Sequence, residues 1–255
     1  MPTTHPRTRG HKTARQEKKL RMAARSRAVL RRFRRLKLLA PDVQERRQEL
    51  ANSVTHGLMA LIAALALAPL IIVASLKGNA RHIISFSLFG AALVFLFSAS
   101  TVMHLYRSDG VHRRAHGFLD HLGIYLTIAG TYSPFCLITL HGTMGWALFG
   151  IIWSLAAVGI VATLYWGDAF TRRYGNVVYL LMGWMIAIAI KPLAIGLTTN
   201  GVALLVGGGL AYTAGVVVLA VKPHYHYHAI WHLFVGLGAF LHLSAMIFYV
   251  LPDMH

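Results

Sequence analysis

From Val54 to Leu251 the chain repeats one pattern, a long run of mostly apolar residues followed by a short break carrying glycine or charge. A helix rises about 1.5 Å per residue, so about 20 apolar residues cross the hydrocarbon core of a bilayer. Seven stretches qualify: Val54–Leu76, His82–Tyr106, Phe118–Leu140, Met144–Trp166, Asn176–Leu197, Val202–Val221 and His228–Leu251. The connections are short, for example Lys77-Gly78-Asn79, His141-Gly142 and Lys222-Pro223. None is long enough for a soluble domain. The expected fold is all-α: a polytopic membrane protein built as one seven-transmembrane-helix bundle. The fifth stretch is the most interrupted, by Lys191-Pro192 near its end.

Charge supports this and adds a direction. Only 13% of residues are charged, against about 25% in soluble domains. The single cysteine, Cys136, excludes a disulfide scaffold and a Cys-type zinc finger. Of 25 Lys and Arg residues, 16 precede Val54. The expected organisation is a basic tail over 1–48 and a membrane domain over 49–255. Lys and Arg favour the cytoplasmic ends of membrane helices. With the N-terminus inside, Arg107, Arg113, Arg114, Arg172, Arg173 and Lys222 join the tail, leaving Lys77, Arg81 and Lys191 outside. That bias places the N-terminus in the cytoplasm and the C-terminus outside. About fifty residues precede the first span without a small-residue cleavage pattern, which argues against a cleaved signal peptide.

The tail admits two readings. Met22, Val29, Phe33 and Leu36 fall near one face between arginines, as in a basic helix lying on the anionic inner leaflet, where each basic residue gains about 1 kcal/mol. A solvated arm that only enforces topology fits equally. Nothing aromatic interleaves the charges except Phe33, which argues against nucleic acid as a partner. Ala203, Gly207, Ala211 and Gly215 in the sixth span, and Ala60, Ala64 and Ala68 in the first, recur every four residues and predict close helix packing. Pro69, Pro134 and Pro192 are expected to kink or end helices.

Ionisable groups inside spans are expensive and usually functional. Here they are Glu49 and His56 at the first span, His104 in the second, Asp120 and His121 opening the third, and His228, His232 and His242 in the seventh. His228 and His232 are four residues apart, hence on one helix face, and so are Ser100 and His104. Glu49, Asn52 and His56 share a face as well. Given the topology above, all except His242 lie at the inner ends of their spans. Three histidines and a carboxylate at one depth suit a metal: neutral imidazoles match zinc, and a catalytic zinc keeps three protein ligands and a water. Asp120 is then a fourth ligand or the group acting on that water, and Ser100 can hold Asp120 or a substrate carbonyl. The competing reading is a set of interfacial histidines at helix ends. His242 lies about 15 Å further along its helix and reads as a polar contact in the core. His121 reads as interfacial, and His112, His116, His224 and His226 as loop residues.

The motifs Glu49-Leu-Ala-Asn52-Ser-Val-Thr55-His56-Gly57, Ser100-Thr-Val-Met-His104, Asp120-His121 running on to Pro134-Phe135, and His228-Ala-Ile-Trp231-His232 resemble the hemolysin III family. These are bacterial relatives of the progestin and adiponectin receptor (PAQR) proteins, and the resemblance runs from Glu49 to Leu251. It implies a seven-helix bundle with its N-terminus inside, in the inner membrane of a bacterium. It also implies zinc (Zn2+) held by His104, His228 and His232, with Asp120 on the zinc water and Ser100 in the accompanying serine position. The long basic tail departs from the usual bacterial pattern.

The wider superfamily includes alkaline ceramidases. The function expected is therefore a zinc-dependent intramembrane hydrolase of a lipid amide or ester, with Asp120 and Ser100 as catalytic residues and membrane lipids as partners. The alternatives are a pore-forming, cytolytic hemolysin III-type protein and a non-enzymatic membrane sensor or regulator with structural zinc.

Overall fold

The computed structural model describes residues 43–106, 111–222 and 226–251, together with Lys19, Arg21 and Met22. The chain divides into two compact units, Met1–Arg47 and Gln48–His255. In the first, Lys19, Arg21 and Met22 are helical and exposed. The expected apolar face at Val29, Phe33 and Leu36 lies outside the described residues.

The described residues of the second unit are almost entirely helical and contain no strand. The main helices among the described residues of the chain are α1 (Val43–Lys77), α2 (Ala80–Leu105), α3 (Val111–Pro134), α4 (Gly142–Trp166), α5 (Asn176–Trp184), α6 (Ile190–Val221) and α7 (Tyr227–Ala245). Two begin well before their apolar runs, α1 at Val43 and α3 at Val111, because a polar turn can be helical without being hydrophobic. Asn79 starts α2, accepting from the Arg81 amide while the His82 ring faces the Asn79 amide. Wide π-helical turns extend α3 over Phe135–Leu140 and α7 over Met246–Val250. The chain leaves α3 through His141 and Gly142, both with positive φ.

Among the described residues, six helical stretches are long and apolar enough to cross a membrane. One of them, Thr171–Val221, has 51 residues, which as a straight rod would span about 75 Å, far beyond a bilayer core. It is not straight. Thr198 leaves the helical region with φ 60° and ψ 171°. The Trp184 indole N–H donates to Thr213 Oγ1 at 3.0 Å, and these two residues lie almost equally far from Thr198 on either side. The stretch therefore folds back on itself at Thr198. It makes two passes, so the described residues make seven.

The fifth pass is also broken within the membrane. Met185–Ala189 forms a tighter 3-10 turn between α5 and α6. Pro192 lies just beyond it; a proline ring crowds the carbonyl four residues back, here that of Ile188. Backbone groups released inside a bilayer need protein partners, and Tyr132 of α3 supplies them. Its hydroxyl accepts from the Ile186 amide at 2.7 Å and shares its proton between the Met182 and Gly183 carbonyls at 2.6 and 2.8 Å.

Small residues pack the bundle, though not wherever a four-residue count put them. In α6 the buried set is Gly201, Gly208, Ala211 and Gly215, while Ala203 is exposed. Gly208 lies flat against the His242 ring, where a Cβ would collide. In α1 Ala64 and Ala68 are exposed, and the buried face is Asn52, His56, Ala63, Leu70 and Ala74. Gly90 of α2 receives the Leu67 side chain of α1. The lower half of this α1 face is polar, and it leads directly to the site.

Replacing Tyr132 with Phe leaves the Ile186 amide and two carbonyls without their partner. Thermal unfolding in detergent is expected to show a loss of about 1–3 kcal/mol, the cost of unsatisfied buried polar groups. A Tyr132→Phe protein as stable as the wild type would mean that the break is satisfied some other way.

Candidate metal centre

Four helix ends meet at one end of the bundle. The last turn of α2 brings His104, with Ser100 one turn before it. The first turns of α7 bring His228 and His232. The start of α1 brings Glu49, Asn52, Thr55 and His56, and α3 brings Asp120. Asn52, His56, Ser100, His104, Asp120 and His232 are all buried.

His104, His228 and His232 each offer a ring nitrogen, and these nitrogens lie within 4.8 Å of one another. Ring centroids are 5.1 Å apart for His104 and His228, 5.2 Å for His104 and His232, and 4.7 Å for His228 and His232. Nitrogens around a tetrahedral ion held at about 2.0–2.1 Å are about 3.4 Å apart, so a small inward movement closes the set. The Nε2 atoms of all three are buried and have no hydrogen-bond partner. Buried polar atoms are nearly always paired. Three such orphans on residues whose ligand atoms cluster fit a metal ion.

The opposite nitrogens explain which atom faces inward. His104 Nδ1 lies 2.6 Å from Glu49 Oε2. A carboxylate can only accept, so Nδ1 carries the proton and Nε2 keeps its lone pair. His232 Nδ1 lies 3.2 Å from Thr55 Oγ1. The Thr55 hydroxyl spends its proton on the Ala51 and Asn52 carbonyls, at 2.9 and 2.8 Å, so it accepts from His232 Nδ1–H. The His56 ring stacks on His232 with centroids 3.5 Å apart, and Phe97 meets His56 edge-on at 5.2 Å.

Asp120 is not among the groups whose ligand atoms close to within 4.8 Å. Its carboxyl adjoins Ser100, His121 and His104; the fully buried Ser100 hydroxyl falls short of hydrogen-bond geometry with it. His121 is not a free interfacial side chain. Its Nδ1 lies 3.2 Å from the Tyr179 hydroxyl, and its ring stacks on that tyrosine. His242 is a core contact, with Nε2 donating to the Leu205 carbonyl at 3.0 Å.

Two cavities flank the histidines. The larger, about 330 Å³, is lined mainly by apolar side chains of α3, α5, α6 and α7, with His56, Asp120, His121, His228 and His242 among its polar lining. The smaller, about 140 Å³, is bounded by Glu49, Asn52, His104, His226 and His228 among others.

A family model described as haemolysin-III related matches residues 44–243. The chain belongs to the haemolysin III family. It is 42% identical over 209 residues to "Hemolysin-3" of Bacillus cereus, covering 81% of this chain and 93% of that one. It is 40% identical over 209 residues to the "Hemolysin-3 homolog" of Bacillus subtilis, covering 80% and 94%. A human "Monocyte to macrophage differentiation factor" is 29% identical over 201 residues, covering 77% and 82%. As a haemolysin III protein with seven apolar passes, it is an integral membrane protein. Every site residue from Glu49 to His242 falls within the matched span.

Spacing brings the three histidines to one depth, but it gives no role to Thr55 or Glu49. Thr55 looks like any hydroxyl bonding back along its own helix, and only the position of α7 reveals its second partner. Glu49 shares a face with Asn52 and His56, and that pattern was the available signal. Changing His104, His228 or His232 to Ala is expected to remove close to one metal equivalent per chain and lower the melting temperature, because an ion that binds only the folded state adds stability. His242→Ala should keep the metal. Elemental analysis alongside thermal unfolding checks both; a stoichiometric metal surviving in the His228→Ala/His232→Ala double mutant would place the site elsewhere.

Proposed function

We propose that this protein is a zinc-dependent hydrolase of a lipid amide or ester, acting within the membrane. One observation carries the reading: three histidines with unbonded Nε2 atoms cluster near a buried carboxyl, and His228 and Asp120 line an apolar cavity. Three neutral imidazoles suit zinc and leave a coordination position open. Held by His104, His228 and His232, zinc would supply a Lewis acid and a water acidified toward neutral pH. Asp120 would take the proton of the attacking water. The Ser100 hydroxyl, one turn from His104, would fix the Asp120 carboxyl or the substrate carbonyl. The cavity of about 330 Å³ lies within the usual range for small-molecule sites, about 300–1,000 Å³, and its apolar lining suits an acyl chain.

The test is to incubate the purified zinc-loaded protein with a panel of lipid amides and esters and measure released fatty acid. Asp120→Asn keeps size and a hydrogen bond but cannot accept the proton, so the rate is expected to fall about 10²- to 10⁴-fold with zinc retained. Ser100→Ala should cost about one net hydrogen bond, about 1 kcal/mol. Loss of zinc from Asp120→Asn would make Asp120 a ligand, and full activity would remove it from the mechanism. A second reading, cytolysis, is favoured by the name of the Bacillus relatives. Release of contents from target membranes by a protein inactive on every lipid in the panel would support it.

The proposed setting is the inner membrane of a bacterium, with a cytoplasmic N-terminus, an outer C-terminus and the basic tail against anionic lipid. The excess of Lys and Arg on one set of connections supports it. The one native cysteine, Cys136, is buried, so introduced cysteines report cleanly. In intact cells a cysteine in the tail should resist an impermeant thiol reagent, and one beside His255 should react. The reverse labelling would invert the topology.

A further inference from the structure

The first pass is an unusual place for buried polar residues. Only 11% of its most apolar window is buried inside the protein, so most of α1 faces lipid. Yet at its start Asn52, Ser53 and His56 are each no more than 4% exposed. Core packing does not account for them, since the apolar residues that hold α1 to the bundle, Ala63, Leu70 and Ala74, lie further along. What the polar end touches are the backs of two of the three converging histidines. Glu49 takes His104 Nδ1 at 2.6 Å, Thr55 takes His232 Nδ1 at 3.2 Å, and His56 covers the His232 ring at 3.5 Å.

We infer that Glu49 and Thr55 are positioning residues of the metal centre, each locking one ligand histidine into the Nδ1–H tautomer so that Nε2 faces the ion. The inference rests on the reading that His104, His228 and His232 hold a metal. Its physical basis is general. A neutral imidazole carries one proton, and whichever nitrogen a fixed acceptor takes, the other becomes the ligand. A carboxylate acceptor also raises the basicity of the ligating nitrogen. A plain ion pair between Glu49 and a doubly protonated His104 would instead bury an Nε2–H with no acceptor, aimed at two other imidazoles. The three unbonded Nε2 atoms fit the lone-pair arrangement and not that one. α1 supplies no ligand of its own, but it determines which atoms α2 and α7 present.

The experiment measures zinc affinity by chelator competition on the full-length protein in detergent, wild type first. Glu49→Ala is expected to weaken zinc about 10- to 100-fold, the usual cost of losing such a partner. Glu49→Gln should lose less, because its amide oxygen still accepts from Nδ1–H. Thr55→Val should weaken binding, and Thr55→Ser should restore it. Cobalt(II) loading gives a second readout, since the visible ligand-field spectrum should shift in Glu49→Ala and Thr55→Val and return in Thr55→Ser. A role limited to holding α1 in place would lower the melting temperature of the metal-free protein and leave affinity and spectrum unchanged, which overturns the inference. Wild-type affinity in both Glu49→Ala and Thr55→Val overturns it too while leaving the metal reading intact. A wild type that takes up neither zinc nor cobalt fails the metal reading itself.

Discussion

A backbone amide in hydrocarbon has no water to turn to, so every polar group that enters the membrane must find its partner within the protein. The seven passes are helices for that reason. So is the position of Tyr132, whose hydroxyl satisfies the three backbone groups loosened where the fifth pass tightens, and so is the His242 contact with the Leu205 carbonyl. Against this discipline the exceptions stand out. Several buried side-chain atoms have no such partner, and those of His104, His228 and His232 differ from the rest in belonging to residues that each offer a ligand atom within 4.8 Å of the others. It is their clustering, more than the missing partner, that marks the site.

Much of the fold was legible because lipid imposes a coarse code, a run of apolar residues of fixed length. The connection at Thr198 to Gly201 was visible as a gap between two such runs, although the backbone stays nearly helical through it and a single residue, Thr198, reverses direction. Hydropathy could not place the start of α1, because the turns from Val43 to Ser53 are helical and polar at once. Counting small residues every four positions failed in α1 for a related reason. Periodicity identifies a face but does not say whether lipid or protein covers it, and Ala64 and Ala68 face outward.

The site was legible to the extent that helix geometry decides it. Residues four apart share a face, and inner ends of neighbouring helices share a depth, so His104, His228, His232 and Asp120 could be grouped before any coordinates. Contacts between distant helices were not legible. Nothing near Thr55 in the chain points to His232, and nothing near His121 points to Tyr179. Nor does a sequence contain volumes: the two cavities arise from what the side chains of several passes fail to fill.

One side chain borders both of those cavities. His228 closes the small polar space beside Glu49 and the large apolar one that runs among α3, α5, α6 and α7. The residue is therefore shared by a compartment suited to water and one suited to oil. Whatever fixes that ring therefore bears on both compartments at once. A single histidine then answers to two surroundings, one wet and one oily.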